Sequence, residues 1–269
     1  MPLRKINHLA TNKKQKRVFG TKEWAEVNFN FINGCTHDCK YCYSKEMAIR
    51  FERKSASTWK KEELRLKDLT KTISTKNKLV MFPSSHDITP KYLDESISII
   101  KKLLTSGNKV LIVTKPHFKC ITKICETFES EKNNILFRFT IGSSNSKILK
   151  FWEPGAPSFE TRFKSLKHAY ELGFKTSVSC EPMLDFHIEK LINKILPFIT
   201  ETIWVGNINF LLKRLKTNGI DDTETIQKAN ELVQWQSNKD NILRIYNQYK
   251  DNKKIKWKDS IQKILDQHI

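Results

Sequence analysis

Between residues 78 and 209 the chain repeats one pattern, a short apolar run followed by a turn residue and an amphipathic stretch of helical period. "KLVMF" (78–82) stops at Pro83, "KVLIVTK" (109–115) at Pro116, and "ILFRFTIGS" (135–143), "FKTSVSCEP" (174–182) and "TIWVGNIN" (202–209) follow. Between them lie helical stretches at 92–107, 119–131, 158–173 and 187–199, the third opening on Ser158 three residues before Thr161 and closing at Gly173. An earlier β-rich run, "EVNFNFIN" (26–33), ends at Gly34. Six strands separated by helices predict an α/β fold with a mostly parallel sheet and right-handed crossovers. No seventh or eighth repeat follows, so an open, partial (β/α)6 barrel fits better than a closed one. In such folds the C-terminal strand ends carry the site. That rule puts the loops at Cys35, Ser84, Lys115, Ser143, Glu181 and Asn207 on one rim.

The remaining segments read as additions to this frame. A helix is expected over 46–53, and residues 60–75 carry Leu64, Leu66, Leu69 and Ile73 partly at helical spacing. Beyond about residue 211 the pattern predicts helices without strands, near 222–238, 240–250 and 257–268, with Trp235 and Trp257 on their packing face. The expected organisation is a basic arm over 1–22, the barrel over 23–210 and a C-terminal helical extension over 211–269. A chain of 269 residues exceeds the usual single domain, but α/β barrels of ~200–250 residues are common.

Hydrophobic residues are 39% of the chain, enough for a buried core. No run of ~18 apolar residues is present to span a bilayer, and "MPLRKINHLATNKKQKR" lacks the apolar centre of a secretory signal. A cytoplasmic location without membrane attachment is the expectation. Forty-eight Lys and Arg against 29 Asp and Glu give a formal charge of +19, a field that favours a polyanionic partner such as nucleic acid. Lys- and Asn-rich, Gly-poor usage also fits an AT-rich coding sequence with solvated lysines. Charge alone does not separate the two.

"INGCTHDCKYCYSKEM" (32–47) places Cys35, Cys39 and Cys42 within eight positions. In a reducing compartment clustered thiols favour metal binding or catalysis over a disulfide. A structural zinc site needs four ligands in a tetrahedron, and the fourth would have to be His37 or one of Cys120, Cys125 and Cys180. Three thiolates also suit a four-iron four-sulfur (4Fe–4S) cluster with one iron left open. Cys120, Cys125 and Cys180 otherwise read as small buried hydrophobes.

The C-x3-C-x2-C spacing, with Tyr41 before the last cysteine, resembles the signature of the radical S-adenosylmethionine (SAM) superfamily. Over about residues 25–210 the chain is similar to the DNA-repair photolyase branch, the spore photoproduct lyase-like proteins, in "CKYCYS", "VTK" (113–115), "FRFTIG" (137–142) and "WEPGAPSFETR" (152–162). The resemblance implies a partial (β/α)6 radical SAM barrel whose cluster, held by Cys35, Cys39 and Cys42, binds SAM at its open iron. Reductive cleavage of SAM would give a 5′-deoxyadenosyl radical that abstracts hydrogen from substrate. It also implies an electron donor such as flavodoxin or ferredoxin. By position, Tyr41 belongs to the cofactor loop, Lys115 would meet the SAM carboxylate, Thr140 would lie near the cofactor, Arg162 would pair with Glu153 or with the SAM carboxylate, and Asp87 in "SSHD" would face the SAM amino group or cap a helix.

One position departs from the branch. Where the lyase has a cysteine that returns hydrogen to the product radical, this chain has Ser84, whose O–H bond is too strong for that task. Cys180 could act from another strand or be a core thiol. Three functions therefore stay open: a radical SAM enzyme acting on nucleic acid or a nucleotide derivative, one modifying a peptide or small metabolite, and a zinc-stabilised nucleic-acid-binding module.

Overall fold

Parallel strands covered on both faces read as unbroken apolar runs, and the runs found above become the strands of one sheet in the computed structural model, which describes residues 20–266. Most of the basic arm expected over 1–22 lies outside the described residues. The first third of the chain holds β1 (Val27–Asn28), β2 (Ile32–Asn33), α1 (Tyr43–Arg50), β3 (Glu63–Leu64), α2 (Leu66–Thr70) and β4 (Leu79–Phe82). The repeating part holds α3 (Leu93–Thr105), β5 (Lys109–Thr114), α4 (Phe118–Thr127), β6 (Ile135–Thr140), α5 (Ser146–Trp152), α6 (Phe159–Glu171), β7 (Lys175–Cys180), α7 (Ile188–Ile195) and β8 (Ile203–Val205). The last part holds α8 (Leu211–Thr217), α9 (Thr223–Ser237), α10 (Lys239–Tyr249), β9 (Ile255–Trp257) and α11 (Asp259–Asp266).

The main sheet runs β1-β4-β5-β6-β7-β8-β9, every pair parallel. Alternation along each strand sorts its side chains into two layers. Val110 and Ile112, Ile135, Phe137 and Phe139, and Val178 pack outward beneath helix residues such as Ile99, Leu103, Ile121 and Leu191. Each such side chain, fully buried, contributes about 1.5–3 kcal/mol. The opposite pleat faces the lumen. There Met81 and Leu111 pack with Leu79, Val113, Leu136 and Trp24, whereas Arg138, Thr140, Ser177 and Ser179 make the β6–β7 side polar and buried. Ser158 caps α6 by accepting the Thr161 N–H, and Gly173 follows the helix at φ +78°, as the sequence predicts.

Four expectations need correction. The run at 26–33 is not one strand: Val27–Asn28 joins the main sheet, while Ile32–Asn33 pairs antiparallel with Glu63–Leu64. Between them Phe31 turns inward to stack on Phe82, 5.9 Å between ring centroids. Consequently only Leu66–Thr70 of the stretch at 60–75 is helical, because its start is taken by that pairing. The region after 211 is not free of strands, since Ile255–Trp257 extends the sheet past β8. Its backbone answers the open edge of β8, with the Ile203 N–H on the Lys254 carbonyl (2.8 Å) and the Lys258 N–H on that of Val205 (2.9 Å). The helix expected over 257–268 accordingly starts at Asp259. The packing role expected for Trp235 and Trp257 is observed, against Phe186 and Tyr246. No helix among the described residues is long and apolar enough to cross a membrane.

Candidate active site

The cysteine loop leaves β2 through Gly34, which has φ +92°, and a side chain there would strike the carbonyls of Trp59 and Lys61 at 2.6 Å. Its far end is the first turn of α1, where the Cys42 thiol accepts the Lys45 N–H at 3.3 Å. A helix N-terminus favours thiolate. Against the middle of the loop lies the segment after α5. The Lys40 N–H donates to the Trp152 carbonyl (2.9 Å) and the Gly155 N–H to that of His37 (2.9 Å). A Cβ on Gly155 would sit 2.1 Å from the Thr36 carbonyl oxygen, so only glycine admits this approach. On the other side the Glu62 carboxylate takes both the N–H and the hydroxyl of Thr36, at 3.2 and 3.1 Å.

Cys35 and Cys39 are buried, and Cys42 is partly so. Burial pushes all three thiols above their ordinary pKa, Cys35 further because of Asp87 and the two neighbouring cysteines. A bound metal reverses that cost, because it displaces the protons and neutralises the thiolates. The other three thiols lie apart, Cys120 and Cys125 in α4 and Cys180 at the end of β7, and burial raises each of them too. His37 lies between two other titratable side chains. Its Nδ1 is 3.1 Å from the Asp87 carboxylate and its Nε2 2.9 Å from Nε2 of His117. Burial, with His37 adding to it, pushes His117 down to about 4.

Glu153 is the centre of the site. Fully buried, it receives the Tyr41 hydroxyl on one oxygen and the Arg162 guanidinium on the other, and the Lys115 ammonium stands 3.9 Å away. Burial alone would raise its pKa, but Arg162 and Lys115 hold it below the usual carboxylate range. Arg162 also donates to the carbonyls of Pro157 (2.8 Å) and Thr140 (3.1 Å), which spends its donor fork within the protein. Lys115, at the end of β5, is held protonated against burial by Cys39, Glu153 and Asp87. Tyr41, Lys115, Arg162 and Thr140 are thus brought into one network. Asp87 borders it with both oxygens engaged, by the Thr114 hydroxyl, the N–H groups of Ile88 (2.8 Å) and Lys115 (3.0 Å), and His37. Burial would raise Asp87, yet His37 and Lys115 keep it well below its ordinary value.

Beside this network opens a two-lobed trough. The larger lobe, about 590 Å³, is lined by Lys22, Trp24, Tyr41, Glu181, Asn207 and Arg214 among others. The smaller, about 280 Å³, includes Asn33, Arg53, Arg65, Ser84 and Ser85. Thr21 and the exposed Tyr43 belong to both. Gly206 lacks a side chain where one would meet Lys258 Cγ at 2.9 Å and Glu181 Cγ at 3.1 Å. The two side chains therefore close to 3.4 Å, and Lys258 also pairs with Glu23 at 2.9 Å. Within the lumen Ser179 Oγ, Asn207 Oδ1 and the indole nitrogens of Trp24 and Trp204 are buried without hydrogen-bond partners.

Sequence reasoning missed the Asp87–His37–His117 chain, Glu62 and Lys258. "CTHDC" held the one signal for the first, a histidine enclosed by cysteines. The Glu62 and Lys258 contacts depend on chain segments 26 residues or more away and carry no local pattern.

Comparison with known proteins accords with this geometry. An uncharacterized protein of Acidianus two-tailed virus is 27% identical over 210 residues, covering 74% of this chain and 64% of that protein. An uncharacterized protein of Methanocaldococcus jannaschii is 27% identical over 192 residues, 69% of this chain and 72% of that one. Among solved structures, a spore photoproduct lyase mutant with bound AdoMet and dinucleoside spore photoproduct superposes with a TM-score of 0.51 at 16% identity, over 80% of this chain and 67% of that chain. Streptococcus suis SuiB bound to S-adenosylmethionine gives 0.52 at 14% identity, over 86% of this chain and 49% of that chain. The chain thus spans less than two thirds of the viral relative and about half of SuiB. These structural likenesses establish the fold. The family model described as the radical SAM superfamily matches residues 29–196, more than half of the chain, and the protein belongs to that superfamily.

Proposed function

We propose that this protein holds a 4Fe–4S cluster on Cys35, Cys39 and Cys42, binds SAM beside it, and uses the pair to abstract hydrogen from a nucleic acid or nucleotide derivative. The observation that carries the reading is the donor set: three neighbouring thiols on one clamped loop, with His37 committed to Asp87 and His117 and the other cysteines elsewhere. Among the described residues no three His, Cys, Asp or Glu side chains are set to hold a single metal ion. A zinc site requires its ligands to meet at one ion, whereas a cluster takes one thiolate on each of three irons.

Bound there, the cluster and SAM would supply a one-electron cleavage yielding a 5′-deoxyadenosyl radical. The protein's part is placement. Lys115 would offer its ammonium to the SAM carboxylate, held protonated by Glu153 and Asp87. Glu153 would keep Tyr41, Lys115 and Arg162 in register around the cofactor. Thr140 would face the cofactor from the lumen side of β6, and Asp87 would act one step back, through the Lys115 N–H. Residues 23–210 form the catalytic barrel in this reading and 211–269 its extension. An electron donor such as flavodoxin or ferredoxin would serve it in the cytoplasm.

The trough supports an anionic substrate. Lys22, Arg53, Lys54, Arg65, Arg214 and Lys258 line its two lobes against a single carboxylate, Glu181, although several of these cations are paired with acids outside the trough. Exposed Tyr43 offers a ring between the lobes, a platform on which bases stack. The solved lyase structure with dinucleoside spore photoproduct gives the same fold a nucleotide ligand. Ser84, with its hydroxyl 2.9 Å from Asn30 Nδ2, keeps the thymine-dimer reaction out of the proposal.

Anaerobic reconstitution followed by reduction with SAM tests the reading. About four irons per chain and release of 5′-deoxyadenosine are expected, and a colourless protein carrying zinc would overturn it. Retention on DNA and RNA should weaken steeply with salt. Absence of retention at low salt would transfer the proposal to a peptide or small metabolite.

A further inference from the structure

Helices α8 and α9 lie beyond the residues matched by the family model, yet they reach the cysteine loop. Asn218 closes α8 and is 1% exposed. Its Nδ2 donates to two carbonyl oxygens of the loop, Lys40 at 3.0 Å and Cys42 at 3.2 Å. The asparagine itself is fixed by its own N–H on the Arg214 carbonyl, 2.8 Å. One turn into α9, Thr225 accepts the Lys40 ammonium at 2.6 Å, and Arg214 pairs with Glu46 of α1 at 3.4 Å.

The spacing between Cys39 and Cys42 is therefore held at both intervening residues. Lys40 is gripped by its N–H from Trp152, its carbonyl from Asn218 and its ammonium from Thr225. Tyr41 is gripped by its hydroxyl on Glu153. An amide nitrogen suits the Asn218 position because it carries two hydrogens, one for each carbonyl. A carboxylate of the same shape would set an acceptor against two acceptors, and alanine would leave the part-buried Lys40 carbonyl without this donor.

We propose that Asn218 is a positioning residue for the cluster loop, fixing Cys42 and the Cys39–Cys42 spacing through Nδ2 so that the three thiolates match the cluster. It touches no reacting atom. The inference rests on the cluster reading above.

The test compares anaerobically reconstituted wild type with Asn218→Ala, Asn218→Asp, Thr225→Val and, as a control on the exposed side of α8, Lys213→Ala. Iron release to a chelator, the electron paramagnetic resonance spectrum of the reduced cluster, and far-ultraviolet circular dichroism are read on each. Both Asn218 variants should lose iron about 10–100-fold faster, the usual effect of removing a partner of the ligand set, with an altered spectrum and unchanged helix content. Thr225→Val, which removes one hydrogen bond, should accelerate release about 5-fold. Lys213→Ala should match wild type. Wild-type release and spectrum in Asn218→Asp and Thr225→Val would overturn the inference, even if Asn218→Ala fails to fold. Wild type that binds no iron would overturn the cluster reading itself, an outcome distinct from loaded wild type with indifferent variants.

Discussion

The two sides of the barrel mouth spend their polar groups differently. Around the cysteine loop, Glu153, Asp87 and Arg162 use their oxygens and nitrogens on protein partners. Across the lumen, Ser179 Oγ, Asn207 Oδ1 and the indole N–H groups of Trp24 and Trp204 are buried and unanswered. Each such group costs about 1–3 kcal/mol, a cost that proteins accept chiefly where water or a ligand can meet it. The contrast is one of degree, since Trp59 Nε1 and Asn218 Oδ1 beside the loop are also unanswered, but Glu153, Asp87 and Arg162 are held throughout by protein partners.

The comparison can be broken by substitution, starting with the thiols. Cys35→Ala, Cys39→Ala and Cys42→Ala should each abolish SAM cleavage, measured as 5′-deoxyadenosine release, whereas Cys120→Ala and Cys125→Ala should leave it largely intact. Equal loss in both groups would mean that the cluster is held elsewhere.

Next in size is the centre of the held side. Glu153→Gln leaves Arg162 buried and Lys115 partly buried beside a neutral amide, which should cost about 3–5 kcal/mol in denaturant unfolding. A cost below about 1 kcal/mol, the range of a surface pair, would show that the network contributes no more than exposed charges do.

A pH dependence follows from His86. Its Nε2 accepts the Phe31 N–H (3.3 Å) and its Nδ1 donates to the Asp87 carbonyl (3.0 Å), an arrangement that requires a neutral ring. Burial pushes it from 6.5 to about 4. Between those values the unfolded chain binds the proton more readily, so stability is complete above about pH 6.5 and is lost as the pH falls toward 4. The loss should approach roughly 3 kcal/mol, and His117, also near 4, adds to it in the same direction. Thermal melts of His86→Gln across this window should show a shallower decline, and an unchanged decline would assign the effect to other groups.

The smallest effect separates two serines two residues apart on one strand face. Ser177 Oγ accepts from Arg138 Nε (3.0 Å) and donates to the Thr202 carbonyl (2.6 Å), so Ser177→Ala should cost about 1–2 kcal/mol. Ser179 Oγ has no partner, and Ser179→Ala should not destabilise the fold and should recover up to about 1–3 kcal/mol, the cost of an unmet hydroxyl, while weakening SAM or substrate binding. Equal destabilisation by the two would erase the contrast.

Local pattern carried the parallel strands, the helix bounds at Ser158 and Gly173, and the three thiols, because apolar runs, caps and ligand spacing are properties of neighbouring residues. The network of Tyr41, Lys115 and Arg162 could be reached only through resemblance, since its members meet at Glu153 from separate elements. β9 escaped notice for a different reason. "IKW" is three residues inside a lysine-rich stretch, and it is a strand only because β8 presents an unpaired edge. The division of 26–33 between two sheets was hidden likewise, because β3 supplies the second partner from thirty residues downstream.

The clasp on Lys40 has a consequence for assembly. Its contacts reach Trp152 and then Asn218, the latter 178 positions along the chain. Chains leave the ribosome N-terminus first, and contacts between distant segments form late because loop closure must come first. The thiols are therefore synthesised early and become a finished receptor only after the C-terminal helices have docked. In the cluster reading proposed above, metal delivery to this loop belongs late in folding, after α8 and α9 have closed over it.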